Sequence, residues 1–404
     1  MTAKRAKPVE VGPEQVREFW AARQAMAGGL ARKKPAEVLA ATGWLRSVGG
    51  SNPYVALRDR AGLSRAAIDA AVAALEIHEL PSARGCTYVV PAQDFALALD
   101  ASRGHGDDAG LATAKKYLGV TDREIDKLCT RVLDAVAGAP LDPAGIKESV
   151  GDAVRSLGAE GKKRGVTTTL PLALGRLQGE GEIRRVPVDG RLDQQRYRYV
   201  AWRPGPFGKR ARSPSQEETA IGLARRYFRW AGPATIKNFS WWSGLGVTAA
   251  RAAVVDIGLV PLAEGDDRLL YAEDREELLS RKPARAPAVS FVASLDNLVH
   301  LRRAVAPHLD EADAKRDVPG MRQKLGTVMD LEYHPICDRG RIVGLWDWDG
   351  LKGELAWKTF GARSREVASA ATAFAEYVQR DLSDVRSFSL DSPESRKGRI
   401  AALR

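Results

Sequence analysis

The sequence GVTTTLPLALGRLQGEGEIRRVPVDGRLDQQRYRYV, residues 165–200, decides which fold the chain can adopt. Its leucines recur three and four residues apart, which predicts a helix with one apolar face. Two further runs follow, at residues 184–188 and 196–200, and the second alternates basic with aromatic side chains as a half-buried strand does. Asp189-Gly190 between the runs is a turn signal, so the pair is predicted to form a β-hairpin.

Two other stretches follow the same plan of a helix, a short turn and a strand that ends near a proline. They cover residues 63–81 and 246–261, and Ser64, Thr167 and Thr248 are predicted to cap the three helices. A further helix is predicted before each of these three helices, over residues 53–60, 143–157 and 234–242. Two helices followed by a hairpin form the winged-helix arrangement, a helix-turn-helix with a β-wing. The alternative is three unrelated segments whose similarity is accidental.

The predicted fold class is therefore α+β, with three tandem winged-helix units followed by a β-rich, barrel-like C-terminal domain with a terminal helix. Unit 1 is assigned to residues 12–100, unit 2 to residues 105–202 and unit 3 to residues 215–275. Residues 203–214 are basic and rich in proline and glycine, as expected of an exposed linker. The C-terminal domain is assigned to residues 285–390. It is predicted from strands at residues 289–292 and 342–346 and a long helix over residues 364–381.

Composition narrows the class of partner. The 404 residues carry a net charge of +11, which favours an anionic partner, either a nucleic acid or a membrane surface. No segment approaches the roughly 20 apolar residues of a membrane-spanning helix. The basic residues near the N-terminus are not followed by the apolar run of a secretory signal. Double-stranded DNA is therefore the predicted partner, with no membrane contact.

Cysteine and histidine usage predicts neither a metal nor a cofactor. Cys86, Cys129 and Cys337 are odd in number and scattered, as expected of reduced thiols in the cytoplasm. The five histidines are dispersed, and the closest pair, His300 and His308, has no cysteine or further histidine beside it. The predicted location is the cytoplasm, and the predicted state is a monomer.

Several short motifs carry a family resemblance through their order and spacing. They are Ala22-Arg23-Gln24, Arg84-Gly85 with Val89-Val90-Pro91, Ala234-Thr235 with Trp242-Ser243-Gly244-Leu245, Ser294-Leu295-Asp296-Asn297-Leu298-Val299 with Arg302-Arg303, and Asp338-Arg339-Gly340-Arg341-Ile342-Val343-Gly344. With these motifs the chain resembles the AlkZ/YcaQ family of winged-helix DNA glycosylases, bacterial enzymes that remove bulky alkylated bases and unhook interstrand crosslinks. The resemblance covers most of the chain and implies base excision from double-stranded DNA. It also implies a bacterial protein, located at the nucleoid when DNA is bound.

The chain departs from this family where the resemblance places catalysis. A Gln-x-Gln or Gln-x-Asp pair is expected at Arg46-Ser47-Val48, and Tyr88 replaces the histidine of the family's wing. N-glycosidic hydrolysis develops positive charge on the sugar, so it needs a positioned water and a group that stabilises a cation. Arg46 is electrostatically unsuited to that role, and it suits the phosphate beside the sugar.

Other side chains are candidates for the catalytic roles of the missing pair. The catalytic candidates are Arg46, Ser47, Asn52, His78 and Glu79. Ser47 and Asn52 have oxygens that could orient a water, whereas His78 and Glu79 lie on the first strand of the first wing and could supply a general base. The alternative for these two is a role as solvated wing residues.

Basic residues are predicted to contact backbone phosphates. They precede the helix predicted to be capped by Thr167, line the second wing, share a face of the helix that opens unit 3, and lie in a C-terminal hairpin: Lys162, Lys163, Arg164, Arg184, Arg185, Arg196, Arg198, Arg225, Arg226, Arg229, Arg339 and Arg341. For any single one of them, the alternative is a solvated surface position.

Two classes of function follow from this reasoning. The first hypothesis is a DNA glycosylase that excises alkylated or crosslinked bases by N-glycosidic hydrolysis. The second is a non-catalytic winged-helix protein that binds duplex DNA or lesions, because the expected pair is missing. A transcription regulator is a third reading, which the non-identical wings make less favourable.

Overall fold

The computed structural model describes residues 11–208, 212–282 and 284–404, so residues 209–211 of the predicted linker lie outside the described residues. In unit 1 the helices are α1 (Pro13–Arg23), α2 (Pro35–Thr42), α3 (Asn52–Ala61), α4 (Arg65–Ala73) and α5 (Phe95–Ser102). The strands are β1 (Leu45–Arg46), β2 (Ile77–Pro81) and β3 (Thr87–Pro91), which form an antiparallel sheet in the order β1-β3-β2. Ser64 caps α4 as predicted, since its side chain accepts a hydrogen bond from the Ala67 amide.

Unit 2 follows with a longer helical part and one hairpin. Its elements are α6 (Asp107–Tyr117), α7 (Asp122–Val136), α8 (Pro143–Val150), α9 (Gly158–Lys163), α10 (Leu170–Gly179), β4 (Ile183–Pro187) and β5 (Tyr197–Ala201). The predicted helix over residues 143–157 ends at Val150, because Gly151 adopts a positive φ of 55°.

The predicted cap at Thr167 is wrong. Residues around it pair with an extended segment: the Leu157 amide donates to the Thr167 carbonyl, and Ser156 bridges Thr168. The helix therefore begins three residues later, at Leu170. A tertiary pairing has overridden a local capping preference.

The region predicted as unit 3 has the elements α11 (Gln216–Ala231), β6 (Ala234–Thr235), α12 (Ile236–Ser243), α13 (Val247–Ala252), β7 (Leu259–Pro261) and β8 (Arg268–Tyr271), with the antiparallel strand order β6-β8-β7. The next helix, α14 (Ala272–Ser280), extends beyond the predicted boundary at residue 275. The predicted cap at Thr248 is also wrong, because Gly246 holds the extended cap position and α13 begins at Val247. Thr235 instead caps α12 by accepting a hydrogen bond from the Asn238 amide.

The C-terminal part is built on an open antiparallel sheet. Its elements are β9 (Val289–Phe291), α15 (Asn297–His300), α16 (Glu311–Ala314), β10 (His334–Asp338), β11 (Arg341–Asp349), β12 (Glu354–Thr359), α17 (Arg365–Tyr377) and α18 (Pro393–Leu403). The strand order is β12-β11-β10-β9. The long helix predicted from residue 364 is α17 with its π-helical extension Val378–Leu382. The last helix, α18, was not predicted, and it packs against β11 through the ion pair between Arg399 and Asp347.

Buried apolar side chains show how these parts hold together. Unit 2 has a cluster of its own, which includes Leu128 and Leu177. Unit 1 instead shares a cluster with the C-terminal part, in which Leu57 of α3 and Phe374 of α17 take part. Burial of apolar surface therefore ties unit 1 to the far end of the sequence, while unit 2 is packed internally.

A buried ion pair reinforces the join between unit 1 and the C-terminal part. The two Nη atoms of Arg60 lie 2.8 and 2.9 Å from the carboxylate oxygens of Asp296, and both side chains are fully buried. Gln24 of the segment after α1 accepts a further hydrogen bond from Arg60. A buried bidentate pair fixes the relative orientation of the two elements.

Candidate functional site

The segment from Trp44 to Asn52 lies at the edge of the first sheet. Trp44 is buried, and its indole N–H donates to the buried carboxylate of Asp94 over 2.9 Å. Arg46, at the end of β1, donates from Nη1 to the Thr87 carbonyl over 3.2 Å, and its guanidinium lies over the Tyr88 ring. The guanidinium of Arg46 therefore occupies the position at which the resemblance places the family's catalytic pair.

A buried carboxylate lies beside this segment. Glu79 of β2 is 5% exposed and accepts hydrogen bonds of 3.2 Å from the hydroxyls of Ser47 and Tyr197. Burial raises the pKa of the Glu79 carboxyl, and the charge of Arg185 and the two hydroxyls oppose the rise. Arg185 in turn lies over the Tyr197 ring, with its guanidinium carbon 5.2 Å from the ring centroid. We call Ser47, Glu79, Arg185 and Tyr197 the Glu79 cluster.

The structure separates the other two catalytic candidates from Glu79. Asn52 donates from its side-chain amide to the Arg46 carbonyl over 2.9 Å, and its Oδ1 is buried without a hydrogen-bond partner. His78 packs edge-on against the rings of Phe95 and Trp202, and neither ring nitrogen has a partner. Burial lowers the pKa of His78 to about 3, so the imidazole is neutral at pH 7.

The basic residues of unit 2 divide into exposed and covered groups. Lys162, Lys163, Arg164, Arg196 and Arg198 are exposed, whereas Arg184 and Arg185 are partly covered. Lys163 pairs with the exposed Glu160, which leaves it open to solvent. Arg185 belongs to the Glu79 cluster. The exposed group is therefore the part of this set that is open to a phosphate.

The three arginines of α11 border one cavity of about 600 Å³, together with Trp230 and Tyr271. Arg226 is bound by the buried Asp94 over 2.7 Å, and Arg229 pairs with Glu273 over 2.6 Å. Arg225 is exposed. The structure therefore brings these three side chains together, as their spacing predicts, but gives two of them carboxylate partners.

The remaining two predicted DNA contacts are Arg339, in the turn between β10 and β11, and Arg341, at the start of β11. Arg339 pairs with Asp338 and Glu18 and donates to the Ala284 carbonyl over 2.5 Å. Arg341 pairs with Asp310. Both side chains bind neighbouring parts of the chain.

Tyr197 was not among the predicted site residues, although its hydroxyl lies on Glu79. It belongs to the alternating run of β5, which indicates a strand and gives no sign of what the strand contacts. Within the described ranges no group of three histidine, cysteine, aspartate or glutamate side chains is arranged to hold a metal ion. In the same ranges, no helix has the length and apolar character needed to cross a membrane.

A family model for AlkZ-like DNA glycosylases matches residues 12–380. The chain belongs to the AlkZ-like DNA glycosylase family. The solved structure of Streptomyces sahachiroi DNA glycosylase AlkZ is similar in fold, with a TM-score of 0.65 over 93% of this chain and 98% of AlkZ. The two sequences are 19% identical, so this similarity concerns the fold. No curated protein matches the sequence.

Membership in the AlkZ-like family confirms the predicted resemblance and gives the chain a function of the DNA glycosylase type. It also relates the Glu79 cluster to the place where catalysis is expected. In this AlkZ-like chain Arg46 and Ser47 occupy the place that the resemblance assigns to the catalytic pair, and Ser47 is hydrogen-bonded to Glu79.

Proposed function

We propose that this AlkZ-like protein binds duplex DNA and hydrolyses the N-glycosidic bond of an alkylated or crosslinked base. The observation that carries the proposal is the position of Glu79, a buried carboxylate bonded to Ser47 where the family resemblance places catalysis. A carboxylate can stabilise a cationic sugar and can accept a proton from water, which are the two requirements of this reaction.

In this mechanism water is the nucleophile. Its oxygen forms a bond to C1′ of the sugar as the bond from C1′ to the base nitrogen breaks, and the base leaves with the electron pair. The water proton passes to Glu79, for which the raised pKa is favourable. Tyr197 covers the carboxylate, so its hydroxyl has to give up its place on Glu79 to the water.

The same proposal assigns the DNA contacts. The three places at which two helices precede a hairpin act as winged-helix units on the duplex, and exposed cations contact backbone phosphates. The exposed members of the predicted set are Lys162, Lys163, Arg164, Arg196, Arg198, Arg225 and Arg229. The protein works as a monomer in the bacterial cytoplasm without a metal or cofactor.

A second candidate function is lesion or duplex binding without excision. The observation in its favour is Arg46, since a guanidinium beside a developing sugar cation is repulsive. This candidate keeps the DNA contacts and loses only the chemical step. A role in transcription regulation would require the same contacts with a sequence preference.

The test is excision from a duplex that carries 7-methylguanine or a nitrogen-mustard crosslink, scored as alkali-labile sites. We expect wild-type protein to release the base and Glu79→Gln to be slower by about 10²-fold or more, with duplex affinity kept. Glu76→Gln, three residues earlier and outside the Glu79 cluster, is the matched control and is expected to remain active. Duplex binding without release by the wild type would establish the second candidate instead, and an active Glu79→Gln would remove Glu79 from the mechanism.

A further inference from the structure

A second cluster of cationic side chains surrounds Trp241 of α12. The guanidinium carbons of Arg84 and Arg303 lie 4.1 and 5.2 Å from the Trp241 ring centroid, and the His300 ring meets it edge-on at 5.2 Å. Arg84 comes from the turn between β2 and β3, whereas His300 and Arg303 come from α15 and the residues after it. We call Trp241, Arg84, His300 and Arg303, together with Arg46, the Trp241 cluster.

The backbone holds the two stacked arginines in an unusual conformation. Arg84 has a φ of 59° and Arg303 a φ of 50°, in the left-handed region that side chains other than glycine rarely adopt. Such a conformation is costly and persists only where the surroundings enforce it. Gly244, at the end of α12, lies close to Arg84, since a Cβ there would come within 3.0 Å of the Arg84 Cα. The turn of unit 1 is thus pressed onto the helix that carries Trp241.

The charges of this cluster are poorly balanced. Burial lowers the pKa of His300 to about 4, and the charges of Arg46, Arg84 and Arg303 lower it further. Asp330 lies 2.7 Å from Arg303, whereas Arg46 and Arg84 form no ion pair with any carboxylate of the described residues. Three partly buried guanidinium groups around a neutral imidazole repel one another, and an anion between them would relieve that repulsion.

One buried polar atom in the cluster indicates the kind of ligand that would fit. His300 is only 7% exposed, and its Nε2 has no hydrogen-bond partner. An unsatisfied buried nitrogen is destabilising, and a ligand oxygen would satisfy it. The Trp241 ring already has two guanidinium groups over it, which leaves little room for a stacked base. An oxyanion therefore fits this site better than an aromatic ligand.

We propose that the Trp241 cluster is a phosphodiester site, in which Arg46, Arg84 and Arg303 bind a backbone phosphate and His300 Nε2 donates a hydrogen bond to one of its oxygens. This inference rests on the proposed function, since it assumes that the chain acts on duplex DNA. The charge of Arg46 is felt both by His300 and by Glu79. A phosphate contact accounts for a guanidinium at the place that the resemblance assigns to the catalytic pair.

The test uses the full chain and an undamaged duplex, so that its result does not depend on excision. Binding is measured over a range of salt concentrations for wild type, Arg84→Gln and Arg303→Gln. Each variant is expected to reduce the slope of log affinity against log salt by about 0.9, the value for one lost phosphate contact. Arg316→Gln is the matched control, because Arg316 also lies over a ring, that of Phe360, and pairs with a carboxylate at 2.7 Å, that of Asp313. Its slope is expected to equal that of wild type.

Unchanged slopes in both variants would overturn the site. Arg303→Lys, which keeps the charge, should keep most of the slope if it folds, whereas a slope as low as that of Arg303→Gln would contradict a charge contact. Wild type and Arg84→Gln can also be titrated with duplexes that carry one neutral methylphosphonate at a time. A position at which wild type loses affinity and Arg84→Gln does not supports the site, and equal losses in the two proteins at every position overturn it. Calorimetric titration with inorganic phosphate alone separates the sources of the anion. The backbone assignment would be overturned if wild type binds free phosphate, Arg84→Gln does not, and the two proteins have equal salt slopes with duplex DNA.

Discussion

Two neighbouring residues on β2 have opposite surroundings. The carboxylate of Glu79 accepts hydrogen bonds from the hydroxyls of Ser47 and Tyr197, whereas the imidazole of His78 has only the rings of Phe95 and Trp202 around it. Alternation of side chains along a strand sends them to opposite faces of the sheet. A polar face keeps a group available for chemistry, and an apolar face keeps it neutral.

We expect His78 to make the protein sensitive to acid. Because the pKa of His78 is lowered to about 3 in the folded protein, the stability linked to the neutral ring is complete above the unfolded value of 6.5. It is lost as the pH falls from there towards 3. Wild type should lose up to about 3 kcal/mol more unfolding free energy between pH 7 and pH 4 than His78→Phe. Urea unfolding at a series of pH values measures this difference, and parallel curves for the two proteins would contradict it.

Sequence reasoning named the members of the Glu79 cluster on unit 1 but not the residue that completes it. Ser47 and Glu79 were candidates because oxygen side chains occur near the expected pair, and the structure joins them. Tyr197 lies 118 residues after Glu79, and no local pattern predicts a contact at that separation. The same holds for Arg303 beside Arg84, since their common partner Trp241 lies on a third unit.

At the scale of elements, the turn between β4 and β5 connects unit 2 to unit 1. Leu192 is fully buried in the cluster shared by unit 1 and the C-terminal part, and its amide donates to the Tyr54 hydroxyl over 2.8 Å. Arg191 donates to the Leu382 carbonyl at the end of the π-helical segment. This hairpin turn is therefore an anchor as well as a connection.

Leu192→Ala should weaken that anchor. Loss of a buried leucine side chain costs about 2–5 kcal/mol, and amide hydrogen exchange in residues 188–196 should become faster. Arg196→Ala, an exposed position in the same turn, is the control and should change the unfolding free energy by less than about 0.5 kcal/mol. Equal stability of the two variants would show that Leu192 does not anchor the turn.

The positions of the hairpins were more predictable from the sequence than the residues at which the helices begin. The hairpins of all three units lie where the polar turns and alternating runs place them, because strand pairing is local there. The caps at Thr167 and Thr248 were wrong, because a pairing with residues 155–157 and a glycine at the cap position decided the helix starts. Helix α18 has no strong apolar periodicity, and its contact with β11 is visible only in the fold.

At the scale of the whole molecule, the apolar clusters predict how the chain unfolds. Most buried apolar side chains of unit 2 form a cluster of their own, and only Leu192 and Trp202 lie in the clusters that join unit 1, unit 3 and the C-terminal part. We therefore expect two thermal transitions by scanning calorimetry. Leu128→Ala should lower the temperature of the unit 2 transition only, and Leu57→Ala should lower the other. A single transition that shifts with either substitution would contradict this division.

Charge and composition predicted the class of partner, but not the arrangement of the parts. A surplus of +11 is a property of the whole chain and needs no knowledge of contacts. Unit 1 is predicted to end at residue 100 and the C-terminal domain to begin at residue 285, yet these two segments share one apolar core in the structure. Cores formed by distant segments leave no trace in a local pattern, since each segment shows only its own apolar face.

The pairing of Arg60 with Asp296 has a consequence for synthesis. The two residues are 236 positions apart, so at bacterial rates of about 5–20 residues per second Arg60 leaves the ribosome on the order of 10–50 s before its partner. During that time the charge of Arg60 and the apolar face of α3 have no counterpart from the C-terminal part. The packing of unit 1 against the C-terminal part is therefore a late event in synthesis.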